Sequence, residues 1–336
     1  MTRILPIDPA APDAAVLAEA VAVLRRGGLV AFPTETVYGL GADALSAAAV
    51  RGIFAAKGRP SYNPLIAHVA DIAGAQALVT EWPPVAQALA ERFWPGPLTL
   101  ALPKRAAVPD EVTAGRATVA VRVPAHPVAR ALLAAAGMPL AAPSANRFTE
   151  LSPVTAQQVA RSLGDRVELI LDGGRTDVGI ESTVVDLSVH PPMLLRPGTI
   201  TRAAIEAITG PLASPEAPSR EDAPRAAPGM IARHYAPRAT VRLVAGGDLR
   251  EAMRALGATA RTRTALLTWS DEGSAAADGV LVHHRLPPDA EGYAARLYDT
   301  LHAVDDAGCT TVLVELPPDD PRWDGVRDRL TRAAHP

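Results

Sequence analysis

Six short segments set polar side chains beside or inside apolar runs, and their residue types are those that hold anions. Lys57-Gly-Arg-Pro-Ser-Tyr-Asn-Pro-Leu-Ile-Ala-His68 places two cations two residues apart, followed by Asn63 and His68. Phe32-Pro-Thr-Glu-Thr-Val-Tyr-Gly-Leu-Gly41 leaves an apolar run through Pro33 into a turn carrying Thr34, Glu35 and Thr36. Thr118 and Arg122 stand four apart, hence on one face of the strand predicted there. Ala141-Ala-Pro-Ser-Ala-Asn146 ends in Ser144 and Asn146, while Gly179-Ile-Glu-Ser-Thr183 and Leu195-Arg-Pro-Gly198 add Ser182 and Arg196. Lys57, Arg59 and Arg196 suit polyphosphate oxygens; Ser144, Asn146, Thr118 and Ser182 suit phosphate or carboxylate oxygens. No nucleophile stands with a base. The set favours a reaction that runs on positioning and charge stabilisation, as phosphoryl and adenylyl transfers do.

Each of these residues also has a plain structural use. Lys57 and Arg59 near a helix end complement its dipole, and Arg122 in a strand is a candidate ion-pair partner of Glu35 or Glu181. Ser144 and Asn146 after a proline are ordinary turn residues, and a lone His68 fits a satisfied core imidazole. His283-His284 has no third ligand nearby in sequence and reads as a strand end, not a metal site. Neither a Gly-x-x-x-x-Gly-Lys-Ser/Thr loop nor a Gly-x-Gly-x-x-Gly turn after a strand is present. The residues alone imply an anionic, phosphorylated ligand.

The elements that must position these groups follow from hydrophobic periodicity. Strands are expected at Leu29 to Phe32, Leu65 to Val69, Leu98 to Leu102, Thr118 to Val123, Leu140 to Ala142, Leu169 to Leu171, Thr183 to Leu187 and Met193 to Leu195. Helical patterns cover about Ala14 to Arg26, Ala47 to Ala56, Val85 to Phe93, Val128 to Ala136 and Ala156 to Leu163. Their irregular alternation predicts an α/β fold with a twisted mixed sheet and packed helices. A Pro-rich stretch from Pro211 breaks every pattern and reads as a linker. Beyond it, strands at Val241 to Val244, Ala265 to Thr268 and Thr311 to Glu315 predict a smaller α/β domain with parallel strands. The expected organisation is therefore 1–210, a linker over 211–239, and 240–336.

Composition sets the limits. The 336 residues are 48% hydrophobic with a net charge of −3, which excludes a mainly disordered chain. Through Gly210 there are 18 basic and 18 acidic residues, leaving 15 basic and 18 acidic beyond it, so neither part neutralises nucleic acid broadly. A single cysteine, Cys309, excludes a disulfide framework and a cysteine zinc finger. The first residues make no secretory signal, and no apolar run reaches bilayer length; a soluble cytoplasmic protein is expected. Of 33 basic residues only Lys57 and Lys104 are lysines, so Lys57 marks a place where a compact ammonium is wanted.

Read as whole strings, these segments resemble the Sua5/YrdC/YciO family. The strings are Phe32-Pro-Thr-Glu-Thr-Val-Tyr-Gly-Leu-Gly, Lys57-Gly-Arg-Pro, Asn63-Pro-Leu, Trp94-Pro-Gly-Pro-Leu-Thr, Val119-Ala-Val-Arg-Val-Pro and Ala142-Pro-Ser-Ala-Asn. Pro228-Gly-Met-Ile-Ala-Arg-His-Tyr-Ala-Pro237 resembles the linker of the long, Sua5-type members. The resemblance implies a YrdC-like domain, that linker, and a Rossmann-like C-terminal domain. It also implies L-threonylcarbamoyladenylate synthesis from L-threonine, bicarbonate and ATP with Mg2+, releasing pyrophosphate. The product serves threonylcarbamoylation of adenosine 37 of tRNA, which implies transient contact with the threonylcarbamoyltransferase machinery.

Carried over position by position, Lys57, Arg59, Ser144 and Asn146 match the family's catalytic motifs. With Asn63, Thr118, Ser152 and Arg196 they are expected around the nucleotide. Thr34, His68, Arg122, Ala142 and Ser182 match threonine positions, Ala142 through its backbone alone. His234 and Tyr235 are expected to fold over ATP as a lid, and no protein side chain is assigned to metal. Ile231 departs from the family, which commonly carries a basic residue there. The alternative is a non-catalytic RNA-binding module. A hydrogenase-maturation relative would carry cysteine zinc motifs, which a chain with Cys309 alone lacks.

Overall fold

Short aliphatic runs bounded by Pro and Gly build the larger of two sheets. The computed structural model describes residues 2–215, 234–277 and 279–335. The chain divides into two units, Met1–Phe148 with Ser152–Ile231 and Thr149–Leu151 with Ala232–Pro336. In the first unit the strands are β1 (Arg3–Pro6), β2 (Val30–Pro33), β3 (Tyr38–Asp43), β4 (Ile66–His68), β5 (Leu98–Pro103), β6 (Thr118–Arg122), β7 (Leu140–Ala141), β8 (Leu169–Asp172), β9 (Thr183–Asp186) and β10 (Met193–Arg196). They lie in the order β1-β8-β2-β3-β7-β4-β6-β5-β9-β10. The sheet is mixed: β4 runs parallel to β6 and β5 to β9, while β2/β3, β3/β7, β5/β6 and β9/β10 are antiparallel.

Both faces of this sheet are covered, which is why its strands read as continuous apolar runs. Along β2, Ala31 belongs to one core cluster and Val30 and Phe32 to the other. The helices Ala47–Lys57, Pro84–Phe93 and Ala156–Leu163 bury Ile53, Leu89 and Val159 in the first cluster. Ala14–Arg25 and Pro127–Ala136 bury Val21 and Leu132 in the second. Side-chain caps fix their starts: Asp13 accepts from the amides of Ala15 and Val16, Ser46 from Ala49 and Thr155 from Gln158. Gly58, in the left-handed conformation at φ 63°, ends the helix whose last residue is Lys57.

The expected strands recur within a residue or two of their bounds, with three further strands, and the helix Arg202–Thr209 is among those not expected. Strand β3 was not expected, because Gly39 and Gly41 weaken strand propensity. Gly41 is required by packing: a Cβ there would stand 2.7 Å from the Phe32 ring. Strand β1 is exposed and exists through its parallel pairing with β8, a long-range contact. The irregular stretch also begins later than Pro211. Leu212 is buried, and Ala213 donates to the Pro192 carbonyl at 2.8 Å and accepts from the Leu194 amide at 3.0 Å. Residues 216–233 of the expected linker, with the departure at Ile231, lie outside the described residues.

In the second unit β11 (Thr240–Val244), β12 (Thr264–Thr268), β13 (Val282–Arg285) and β14 (Thr311–Glu315) form an all-parallel sheet in the order β11-β14-β12-β13. Strand β13 is the third addition. His283 and His284 lie within it, not at a strand end, and His283 Nε2 sits 2.9 Å from Thr268 Oγ1. Cys309 is buried and unbridged. Among the described residues no helix is long and apolar enough to cross a membrane.

Leu89 is fully buried between its helix and the sheet. Leu89→Ala is expected to lower the unfolding free energy of the first unit by about 2–5 kcal/mol, from lost transfer energy and the cavity left behind. Urea titration followed by circular dichroism measures it.

Candidate anion-binding site

Four of the cations named above, Lys57, Arg59, Arg122 and Arg196, are buried. A buried cation must be compensated, and the compensation brings distant strings of the sequence together. Lys57 leaves the last turn of its helix and donates from Nζ to the carbonyls of Ser144, at 2.6 Å, and Asn146. These carbonyls follow β7, where Ser144 also bridges Gly39 of β3. The loop between them is completed by Asn146 Nδ2, which donates to the Arg147 carbonyl at 2.7 Å. One ammonium therefore ties the Lys-Gly-Arg string to the Ser-Ala-Asn string.

Arg59 turns the other way. Its Nε and Nη2 donate to the carbonyls of Asn63 and Pro64, at 3.2 and 2.9 Å, and its guanidinium lies 6.0 Å from the Phe148 ring centre. Asn63 itself is fully buried, and among the described residues neither its side-chain nitrogen nor its oxygen has a hydrogen-bond partner. A buried amide left in that state costs free energy unless something else bonds it.

Arg196, at the end of β10, donates from Nε to the Ser182 carbonyl at 3.0 Å and from Nη2 to Ser182 Oγ at 3.1 Å. Ser182 Oγ also lies 2.8 Å from Thr99 Oγ1. Nearby in sequence, Glu181 accepts from Ser152 Oγ at 2.5 Å, and both are buried.

Arg122 ends β6 directly opposite His68 on β4. It donates from Nη2 to Glu35 Oε1 at 2.6 Å, from Nη1 to Thr36 Oγ1 at 3.1 Å and from Nε to the Gly96 carbonyl at 3.1 Å. Of the two ion-pair partners left open by the sequence, Glu35 is the one found. Gly96 is glycine for a steric reason, since a Cβ would stand 2.3 Å from the Phe93 carbonyl oxygen. Thr34 closes the adjoining turn: its Oγ1 donates to the Val37 carbonyl at 2.6 Å and accepts from the Thr36 and Val37 amides.

His68 is buried, edge-on to Phe32 at 6.4 Å, and among the described residues its Nδ1 has no hydrogen-bond partner. Burial first, and the Arg122 charge second, lower its pKa to about 3, so the ring is neutral at physiological pH.

Two expected residues stand apart from these bonds. Thr118 begins β6, about 13 Å along the strand from Arg122 at the usual rise, and among the described residues no side-chain hydrogen bond joins it to the others. Ala142 spends its amide on the Ile66 carbonyl at 3.0 Å. His234 and Tyr235 belong to the second unit, with ring centres 4.0 Å apart. There Tyr235 is covered by Tyr298 at 5.9 Å and by the Arg329 guanidinium at 5.2 Å. Sequence reasoning did not single out Thr36, Thr99, Gly96 or Phe148. Thr36 and Gly96 lie inside strings already noted, whereas Thr99 and Phe148 carry no local signal.

A family model for the Sua5, YciO and YrdC proteins, described as "Telomere recombination", matches residues 22–198, more than half of the chain. The chain belongs to the Sua5/YciO/YrdC family. A second model, "Threonylcarbamoyl-AMP synthase, C-terminal domain", matches residues 200–335. The threonylcarbamoyl-AMP synthase of Bacillus subtilis is 43% identical over 95% of this chain and 92% of its own length. A crystal structure of P. abyssi Sua5 complexed with L-threonine matches 99% of this chain and 98% of that one, with TM-score 0.90 and 37% identity. E. coli YciO matches 59% of this chain and 96% of its own, with TM-score 0.54 and 27% identity. The mixed α/β fold expected of this family is thus the one present.

The depressed His68 pKa has a signed consequence. Between about pH 6.5 and 3 the unfolded chain binds a proton at this ring that the folded chain refuses. Its contribution is complete above pH 6.5 and is lost progressively as pH falls towards 3. Thermal melts between pH 7 and 4 should therefore show a smaller acid-induced fall in Tm for His68→Asn than for the parent.

Proposed function

We propose that the chain is an L-threonylcarbamoyladenylate synthase, converting L-threonine, bicarbonate and ATP to threonylcarbamoyl-AMP and pyrophosphate. The carrying observation is the match to the Bacillus subtilis threonylcarbamoyl-AMP synthase over 95% of this chain and 92% of that protein, with the C-terminal domain model matched as well. The site chemistry supports the same reading. Once the threonine amine has condensed with bicarbonate to a carbamate, its proton and the bicarbonate hydroxide leaving as water, a carbamate oxygen attacks the α-phosphorus. An O–P bond forms, the α–β bridging bond breaks, and the electron pair leaves with pyrophosphate. Negative charge stays on phosphate oxygens throughout, so preplaced cations and amide donors lower the barrier without a side-chain base.

In this reading Lys57, Arg59, Ser144 and Asn146 line the triphosphate, joined by Asn63, Ser152 and Arg196, with Thr118 towards the base. Thr34, His68, Arg122, Ala142 and Ser182 line threonine. His68 serves there as a neutral hydrogen-bonding group, because its ring does not charge near neutral pH. The assignment of His234 and Tyr235 to ATP rests on the motif alone. The protein residues gathered here do not fit a metal: they are mainly cations, hydroxyls and amides. Among the described residues no group of three or more His, Cys, Asp and Glu could hold one. Mg2+ enters this reading with ATP, as the family resemblance implies, where it would neutralise phosphate charge. The product passes to the tRNA threonylcarbamoyltransferase machinery in the cytoplasm. The RNA-binding alternative is set aside, since the balanced charge count gives it no support.

Pyrophosphate release on mixing the protein with MgATP, bicarbonate and L-threonine tests this function. Release should require all three substrates, and release independent of threonine overturns it. Lys57→Ala should lower the rate about a hundredfold or more, as losing one preorganised electrostatic group does. A fully active variant overturns the site assignment.

A further inference from the structure

The Pro33–Val37 turn carries a carboxylate that the reaction does not use. Glu35 is buried, and both its oxygens are engaged: Oε1 with Arg122 Nη2 at 2.6 Å, Oε2 with the Ala125 amide at 3.0 Å. A buried ion pair is no stability device in itself, because desolvation offsets its attraction. What it does provide is a fixed guanidinium. With Thr36 on Nη1 and the Gly96 carbonyl on Nε, Arg122 is held at all three nitrogens. Those three bonds use one N–H on each nitrogen, so Nη1 and Nη2 each keep a second N–H. Those two N–H groups remain for the oxygens of a ligand carboxylate.

The same turn reaches the other wall. The Glu35 carbonyl accepts from the Val178 amide at 2.8 Å and the Thr36 carbonyl from the Gly179 amide at 3.1 Å. Residues 178 and 179 lead directly into Glu181 and Ser182, and Ser182 is bonded to Arg196. One two-residue segment thus sets Arg122 through side chains and the approach to Ser182 through its backbone.

We propose that Glu35 is a positioning residue for the amino-acid carboxylate: it orients Arg122 and neutralises its charge, while Thr36 fixes the second guanidinium nitrogen. The inference rests on the proposed synthase reading. With Arg122 balanced by Glu35, its remaining N–H groups act on the ligand as oriented donors. Glu35 touches no substrate and acts through Arg122.

The test measures KM for L-threonine and for ATP separately, by pyrophosphate release, on the full chain. Glu35→Gln should raise the threonine KM about ten- to a hundredfold, the scale of a charge-assisted hydrogen bond, and move the ATP KM less than about twofold. Glu35→Asp should restore part of the loss, and Thr36→Val should shift the same parameter by less. In an Arg122→Ala background Glu35→Gln should add nothing further. Where Glu35→Gln does not fold, as judged by its thermal melt, Thr36→Val decides by the same split. Equal rises in both KM values, or an unchanged threonine KM, overturn the inference. A parent protein that releases no threonine-dependent pyrophosphate refutes the synthase reading instead, so the two failures are distinguishable.

Discussion

Burying positive charge inside a sheet is the constraint around which the first unit is arranged. Lys57, Arg59, Arg122 and Arg196 sit on different elements, yet each lies below the surface. Isolated cations at such positions would be prohibitive. They are tolerated because backbone carbonyls, hydroxyls and the Glu35 carboxylate converge on them.

The sheet order explains how these groups meet. Strands β4 and β6 run parallel as neighbours, so His68 and Arg122 fall at one register position although 54 residues separate them. Strand β7 returns antiparallel beside β4 and delivers Ser144 and Asn146 to the end of the helix that carries Lys57. Strand β3, thinned by two glycines, lets the Phe32 ring and the Ser144 segment approach closely. Removing the Glu35 partner would leave the Arg122 charge buried and uncompensated, at a cost of about 3–5 kcal/mol. That cost is why the turn between β2 and β3 is inseparable from the end of β6.

Much of the site was readable as strings. Lys57-Gly-Arg59, Ala142-Pro-Ser-Ala-Asn146 and Leu195-Arg196 declared themselves because polar residues interrupt apolar strand patterns. What failed to show was whatever depended on pairing across the sheet. Strand β1, the four residues Arg3-Ile-Leu-Pro6, is too short and too exposed to show itself and is made by its pairing with β8. Strand β13 carries alternating exposed residues, so its His283 and His284 resembled an end. The role of Leu212 and Ala213 as a partner of the β10 edge was hidden in a Pro-rich composition.

By itself, the sequence determined the residue types and hence the kind of chemistry: cations, hydroxyls and amides for an anion, with no nucleophile and base. It also determined most helix and strand bounds, because capping side chains and apolar periodicity act locally. The tertiary structure alone decided which carbonyls hold Lys57 and which carboxylate holds Arg122. It decided as well that His68 stays neutral, since its pKa follows from burial and from an arginine on another strand. Those outcomes are set by desolvation and by contacts between residues far apart in the chain. Neither leaves a local trace in the order of amino acids.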